Sequence, residues 1–135
     1  MSTQAQKTIL LVEDDPINSI LTTETLQNFG FNVVVADSGE KAVEIALSDE
    51  AISLILMDIN LGDGIDGTKA AGRILESKVV PIVFLTSHSE KEYVDSVKEI
   101  TRYGYVVKNS GEFVLRSTIE MAFELFEAHE KTHAH

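Results

Sequence analysis

Glu13, Asp14 and Asp15 follow one another directly after the aliphatic run Thr8 to Val12, and Pro16 comes next. Adjacent carboxylates repel one another and are costly to take out of water, so they either fan out into solvent or surround something positive. Asp58 closes a second apolar run, Ile52 to Met57. Thr86 and Ser87 close another, Val79 to Leu85, and Lys108 ends the run Gly104 to Val107. Gathered together, carboxylates with no His or Cys among them select the hard cations Mg²⁺, Mn²⁺ or Ca²⁺. Mg²⁺ keeps several waters and typically meets one or two carboxylates plus a phosphate. A lysine and a hydroxyl facing such a metal are the groups that hold phosphoryl oxygens. A carboxylate beside it is a competent nucleophile, forming an aspartyl phosphate. These residue types point to phosphoryl transfer.

The elements that would gather them are legible as five apolar runs alternating with five segments of helical period. After the first run, Asp15 and Pro16 supply an N-cap and a first helical residue, and Gly30 stops a helix ending near Phe29. Asn32 to Ala36 is β-branched, and Ser38 caps a helix to about Leu47. The third run leads into the stretch "INLGDGIDG" and a helix from Thr68 to about Glu76. Ser89 with Glu92 spells a capping box that opens a helix to about Ile100. A last helix from near Ser110 carries Leu115, Ile119, Ala122, Phe123 and Phe126 on one stripe. Such alternation predicts a parallel sheet with helices on both faces, an open doubly wound α/β domain. In that fold ligands bind beyond the carboxyl ends of the strands, where Glu13, Asp14, Asp58, Thr86 and Lys108 fall.

The chain has 135 residues, which fits one domain: a core of about 7–127 and a polar tail over 128–135. Its 22 acids against 11 bases give a net charge of −11, which argues against direct nucleic-acid binding. Cysteine is absent, so thiolate metal sites and disulfides are excluded. No apolar run has membrane-spanning length, and "MSTQAQKT" lacks the features of a signal peptide. A cytoplasmic location with no membrane contact is the expectation. His129, His133 and His135 read as part of a frayed tail rather than a metal site.

Four segments in order, "LLVEDD", "LILMDINLGDGIDG", "VFLTS" and "GYVVK", resemble the receiver domain of two-component response regulators over essentially the whole chain. The resemblance implies a flavodoxin-like (βα)5 fold with strand order 2-1-3-4-5. It implies that Asp58 is the phosphoacceptor, that Asp14 binds Mg²⁺ (or Mn²⁺) directly, and that Glu13 acts through water. Asp58 and the backbone carbonyl of Asn60 would complete the protein ligands. Thr86 matches the switch hydroxyl, Lys108 the phosphate-pairing lysine and Tyr105 the aromatic switch. Asn60 and His88 stand at positions that tune dephosphorylation.

The implied role is a phosphoacceptor in a phosphorelay, not an enzyme acting on other molecules. A sensor histidine kinase or phosphotransfer protein would donate to Asp58. An output partner of unknown identity would read the face made by the fourth helix, fifth strand and last helix. Homodimerisation through that face is a further expectation. Two departures stand out. Asn109 follows Lys108 where proline is common, and a non-proline cis bond there would cost roughly 2.5–4 kcal/mol. Ser87 stands where a small alanine is frequent.

The residues alone leave rivals open. A phosphatase of the haloacid dehalogenase type also uses an aspartate nucleophile with Mg²⁺, but typically has a second aspartate where Asn60 stands. A flavodoxin-like FMN binder would carry a Ser/Thr/Gly-rich phosphate loop in place of "EDDP". A pseudo-receiver would keep the fold and bind partners without phosphorylation. The filled key positions speak against it, and Asn109 keeps it open.

Overall fold

A computed structural model describes residues 6–61, 65–86 and 103–133. Five parallel strands, β1 (Thr8–Val12), β2 (Asn32–Ala36), β3 (Ile52–Asp58), β4 (Ile82–Thr86) and β5 (Tyr105–Val107), form one sheet in the order β2-β1-β3-β4-β5. The described helices are α1 (Pro16–Asn28), α2 (Gly39–Ser48), α3 (Gly67–Leu75) and a C-terminal helix (Glu112–His133). This is the doubly wound α/β arrangement expected. The helix predicted from Ser89 to about Ile100 lies outside the described residues, as do Ser87, His88 and positions 62–64.

Two cores sandwich the sheet because side chains alternate along each strand. Leu10 and Val12, Ile55 and Met57, and Ile82 and Phe84 pack on one face against Ala42 and Ala46 of α2 and Ala70, Ala71 and Ile74 of α3. Ile9 and Leu11, Leu54 and Leu56, and Val83 and Leu85 point the other way. They pack against Leu26 of α1 and Ile119, Ala122 and Phe123 of the C-terminal helix. The central strands β1, β3 and β4 are therefore apolar at nearly every position. The edge strands β2 and β5 are only partly buried.

Local signals end the elements as anticipated. Asp15 Oδ1 accepts from the Ile17 backbone N–H at 2.9 Å, and Ser38 Oγ from that of Lys41 at 3.1 Å. Gly30 turns the chain after α1 with φ of 101°. Several boundaries differ from the sequence reading, most by a single residue. β4 starts at Ile82 rather than Val79, because Pro81 has no N–H to give the ladder and Val79 is exposed. The last helix starts at Glu112, after Asn109 and Gly111 take positive φ values of 68° and 104°. It also continues to His133, beyond Glu127, where a frayed polar tail was expected. Among the described residues there is no cis peptide bond, so Lys108–Asn109 is trans. No helix among them is long and apolar enough to cross a membrane.

Candidate functional site

Register brings the acids together. Val12 pairs with Met57 across β1 and β3, so the residues that follow them, Glu13 and Asp58, stand side by side. Asp58 pairs with Leu85, and Thr86 with Val107, so Thr86 and Lys108 reach the same edge. Parity adds direction. Glu13, Asp58 and Lys108 continue the alternation of Leu11, Leu56 and Val106, which face α1 and the C-terminal helix. Thr86 continues that of Ile82 and Phe84, the layer of α2 and α3.

Glu13, Asp58 and Thr86 are buried, with exposures of 3%, 1% and 1%. The Lys108 ammonium donates to Asp58 Oδ2 at 2.8 Å and lies 3.7 Å from Glu13 Oε1. The other Asp58 oxygen, Oδ1, accepts from the Asn60 backbone N–H at 3.1 Å, and Glu13 Oε2 accepts from that of Asp15 at 3.2 Å. Lys108 is itself tied to β4 by its backbone N–H, which donates to the Thr86 carbonyl at 2.7 Å. Tyr105, on the outer strand, is 38% exposed. Asp15 is the helix cap rather than a member of the cluster. His88 lies outside the described residues.

One ammonium does not balance this site. Burial pushes the Glu13 carboxyl up from 4.5 to about 7, and the charge of Asp58 and a hydrogen bond shared with it add to the rise. Lys108 and the Asp15 N–H pull the other way and lose. Asp58 is also raised, its burial outweighing Lys108, Glu13 and the Asn60 N–H. Two adjacent buried anions repel, and that repulsion favours a proton on the pair.

Ligand atoms of Glu13, Asp14 and Asp58 all lie within 4.8 Å of one another. An all-oxygen set of this size, with Asp14 open to solvent, fits a divalent ion that retains water. Exposed acids alone would carry no such inference; here two of the three are buried and already short of positive charge.

The sequence reading missed what shapes the loop after Asp58. A Cβ on Gly67 would collide with the Asp58 carbonyl oxygen and come within 2.9 Å of the Ile59 Cα. The Gly67 N–H donates to the Ile59 carbonyl at 2.9 Å, closing the loop at its base. A glycine immediately after the cap Asp66, where most residues would serve, was the available signal. Burial pushes the Asp66 carboxyl up, but hydrogen bonds from Thr68 and Lys69 and the Lys69 charge hold it below the usual range.

Comparison with known proteins identifies the family and the fold. The family model described as response regulator receiver domain matches residues 9–120. The transcriptional regulatory protein PdtaR of Mycobacterium tuberculosis is 31% identical over 121 residues, covering 87% of this chain and 57% of its own. The phyllosphere-induced regulator PhyR of Methylorubrum extorquens is 36% identical over 84 residues, 62% of this chain and 32% of its own. The chain thus spans between about a third and somewhat over half of these relatives. The N-terminal domain of a response regulator/sensory box/GGDEF protein from Carboxydothermus hydrogenoformans is 41% identical with a TM-score of 0.84, covering 91% of this chain and 98% of that one. The receiver domain of a Pseudomonas aeruginosa sensor histidine kinase is 28% identical, with a TM-score of 0.77 and coverage of 87% and 98%. That domain was solved with magnesium coordinated in its active-site cleft. With the fold, the strand-end acids and the family match in agreement, this chain belongs to the response regulator receiver domains.

Proposed function

We propose that the chain is a phosphoacceptor switch in which Asp58 takes a phosphoryl group from the phosphohistidine of a sensor histidine kinase or phosphotransfer protein. The observation that carries this reading is the buried Asp58 carboxylate, 2.8 Å from the Lys108 ammonium and inside a cluster of acids. A carboxylate oxygen of Asp58 attacks phosphorus, and the P–N bond breaks with its electron pair leaving on the imidazole. Lys108 then moves from the carboxylate to a phosphoryl oxygen. Glu13, Asp14, Asp58 and the Asn60 carbonyl would hold Mg²⁺ (or Mn²⁺), which when bound supplies the positive charge that phosphoryl oxygens and carboxylates require.

Phosphorylation adds a charge of about −1.5 to −2 at neutral pH, and the chain answers it through neighbouring strands. Thr86 donates its hydroxyl to the phosphoryl group, and Tyr105 turns inward from its exposed position. The register supports the link, since Thr86 pairs with Val107 and Phe84 with Tyr105 across β4 and β5. A partner that favours the turned-in state reads the event as a population shift. Asn60 and His88 set how long the acyl phosphate survives before hydrolysis resets the domain. The chain therefore signals, acting chemically only on itself.

Two exposed apolar patches support protein partners. Ile17, Ile20 and Leu21, exposed at 69%, 61% and 57%, lie on the helix that begins at the acid cluster, suited to the phosphodonor. Val114, Met121 and Leu125 form a second exposed stripe on the C-terminal helix, suited to an output partner or a second copy. Borohydride reduction after treatment with phosphoramidate tests the acceptor. Trapping as homoserine at position 58 alone is expected; trapping elsewhere, or none, would overturn the assignment.

A further inference from the structure

On the proposed function, the described residues on either side of 62–64, Asp58 to Leu61 and Ile65 to Gly67, have to hold the Asn60 carbonyl at the site. The near side is fixed by the sheet: the Ile59 N–H donates to the Leu85 carbonyl at 3.1 Å, and Ile59 and Leu61 are buried. The far side is fixed from another element. The Ile65 N–H donates to Glu40 Oε2 at 3.2 Å, reaching across to the first turn of α2. Beside that bond, a Cβ on Gly39 would stand 2.6 Å from Ile65 Cγ1 and 2.8 Å from the Ile65 carbonyl oxygen. Ile65 also packs on the core shared by α2 and α3. Glycine at 39 admits Ile65, and the carboxylate at 40 captures its amide.

We propose that Glu40 is a positioning residue for the acid cluster: by clamping Ile65 to α2 it fixes the entry to α3, whose Gly67 N–H holds the Ile59 carbonyl beside the Asn60 carbonyl that would serve the metal. The clamp rests on reading Glu13, Asp14 and Asp58 as a divalent-cation site. It acts through geometry and not through charge. Glu40→Gln keeps an oxygen acceptor for the Ile65 N–H while removing the charge, whereas Glu40→Ala removes both.

Mg²⁺ alone, titrated calorimetrically into the full chain, tests this. Loss of one hydrogen bond of this kind predicts a Kd raised about three- to tenfold in Glu40→Ala. Glu40→Gln is expected within about twofold of the unsubstituted chain on the same reasoning. Hydrogen exchange at the Ile65 amide should quicken in Glu40→Ala only. Equal weakening in both variants would mean a charge effect and overturn the clamp, as would an unchanged Kd in Glu40→Ala. A chain that takes up no Mg²⁺ before any substitution would overturn the metal-site reading itself, a distinguishable failure.

Discussion

Lys108 reaches the 1%-exposed Asp58 with its ammonium, 2.8 Å from Oδ2, while the lysine itself remains 29% exposed. The pair is thus a buried anion served from the solvent side by a partly exposed cation. On the proposed function, that cation pairs with Asp58 before phosphorylation and would follow the charge onto the phosphoryl group. It also competes with any metal for the same oxygens.

Lys108→Ala should therefore strengthen Mg²⁺ binding, by several-fold, because it removes a positive charge from beside the metal ligands. The metal-free variant should lose roughly 1–3 kcal/mol of stability, since a buried carboxylate is left with one partner fewer. Calorimetric titration and chemical denaturation measure the two effects. Weaker Mg²⁺ binding in the variant would contradict a competing role.

The raised Glu13 carboxyl gives the metal-free protein a distinctive pH dependence. Its folded value of about 7 lies above the ordinary 4.5, so between these pH values the folded state keeps a proton that the unfolded state has lost. Folding stability from this group is then greatest below about pH 4.5, declines as pH rises through the window, and levels off above about 7. The decline should be on the order of a few kcal/mol, and Asp58, also raised, adds to it with the same sign. Glu13→Gln should flatten the curve, and Mg²⁺ should restore stability most at the alkaline end. Denaturation from pH 4.5 to 8, with and without Mg²⁺, checks each of these.

Gly67→Ala should destabilise the fold by about 1–3 kcal/mol, as expected where a methyl group is forced against fixed backbone. Because the obstructing atoms belong to Asp58 and Ile59, the same substitution should weaken Mg²⁺ binding. Gly72→Ala, where a Cβ meets nothing within 4 Å, is the control on the same helix and should leave Mg²⁺ affinity unchanged.

Much of this was readable before any coordinates. Continuous apolar runs such as Ile52 to Met57 marked strands covered on both faces, and the residues after four of the five runs fall at one edge of the sheet. Pairing was not readable: that Glu13 stands beside Asp58 follows from the Val12–Met57 register, which no local pattern encodes. The start of β4 was read too early because Val79 and Val80 look like strand, while Pro81 decides where the ladder can begin. The contributions of Gly67, Gly39 and Glu40 depend on contacts between elements distant in sequence. A glycine that admits a neighbour looks, in sequence, like any other turn residue.

The most direct test of the central claim is intact mass after incubation with acetyl phosphate. The chain should gain one phosphoryl group when Mg²⁺ is present and lose it on prolonged incubation without donor, whereas Asp58→Asn should gain none. A phosphoryl adduct that persists in Asp58→Asn, or no adduct on the unsubstituted chain at saturating Mg²⁺, would contradict it.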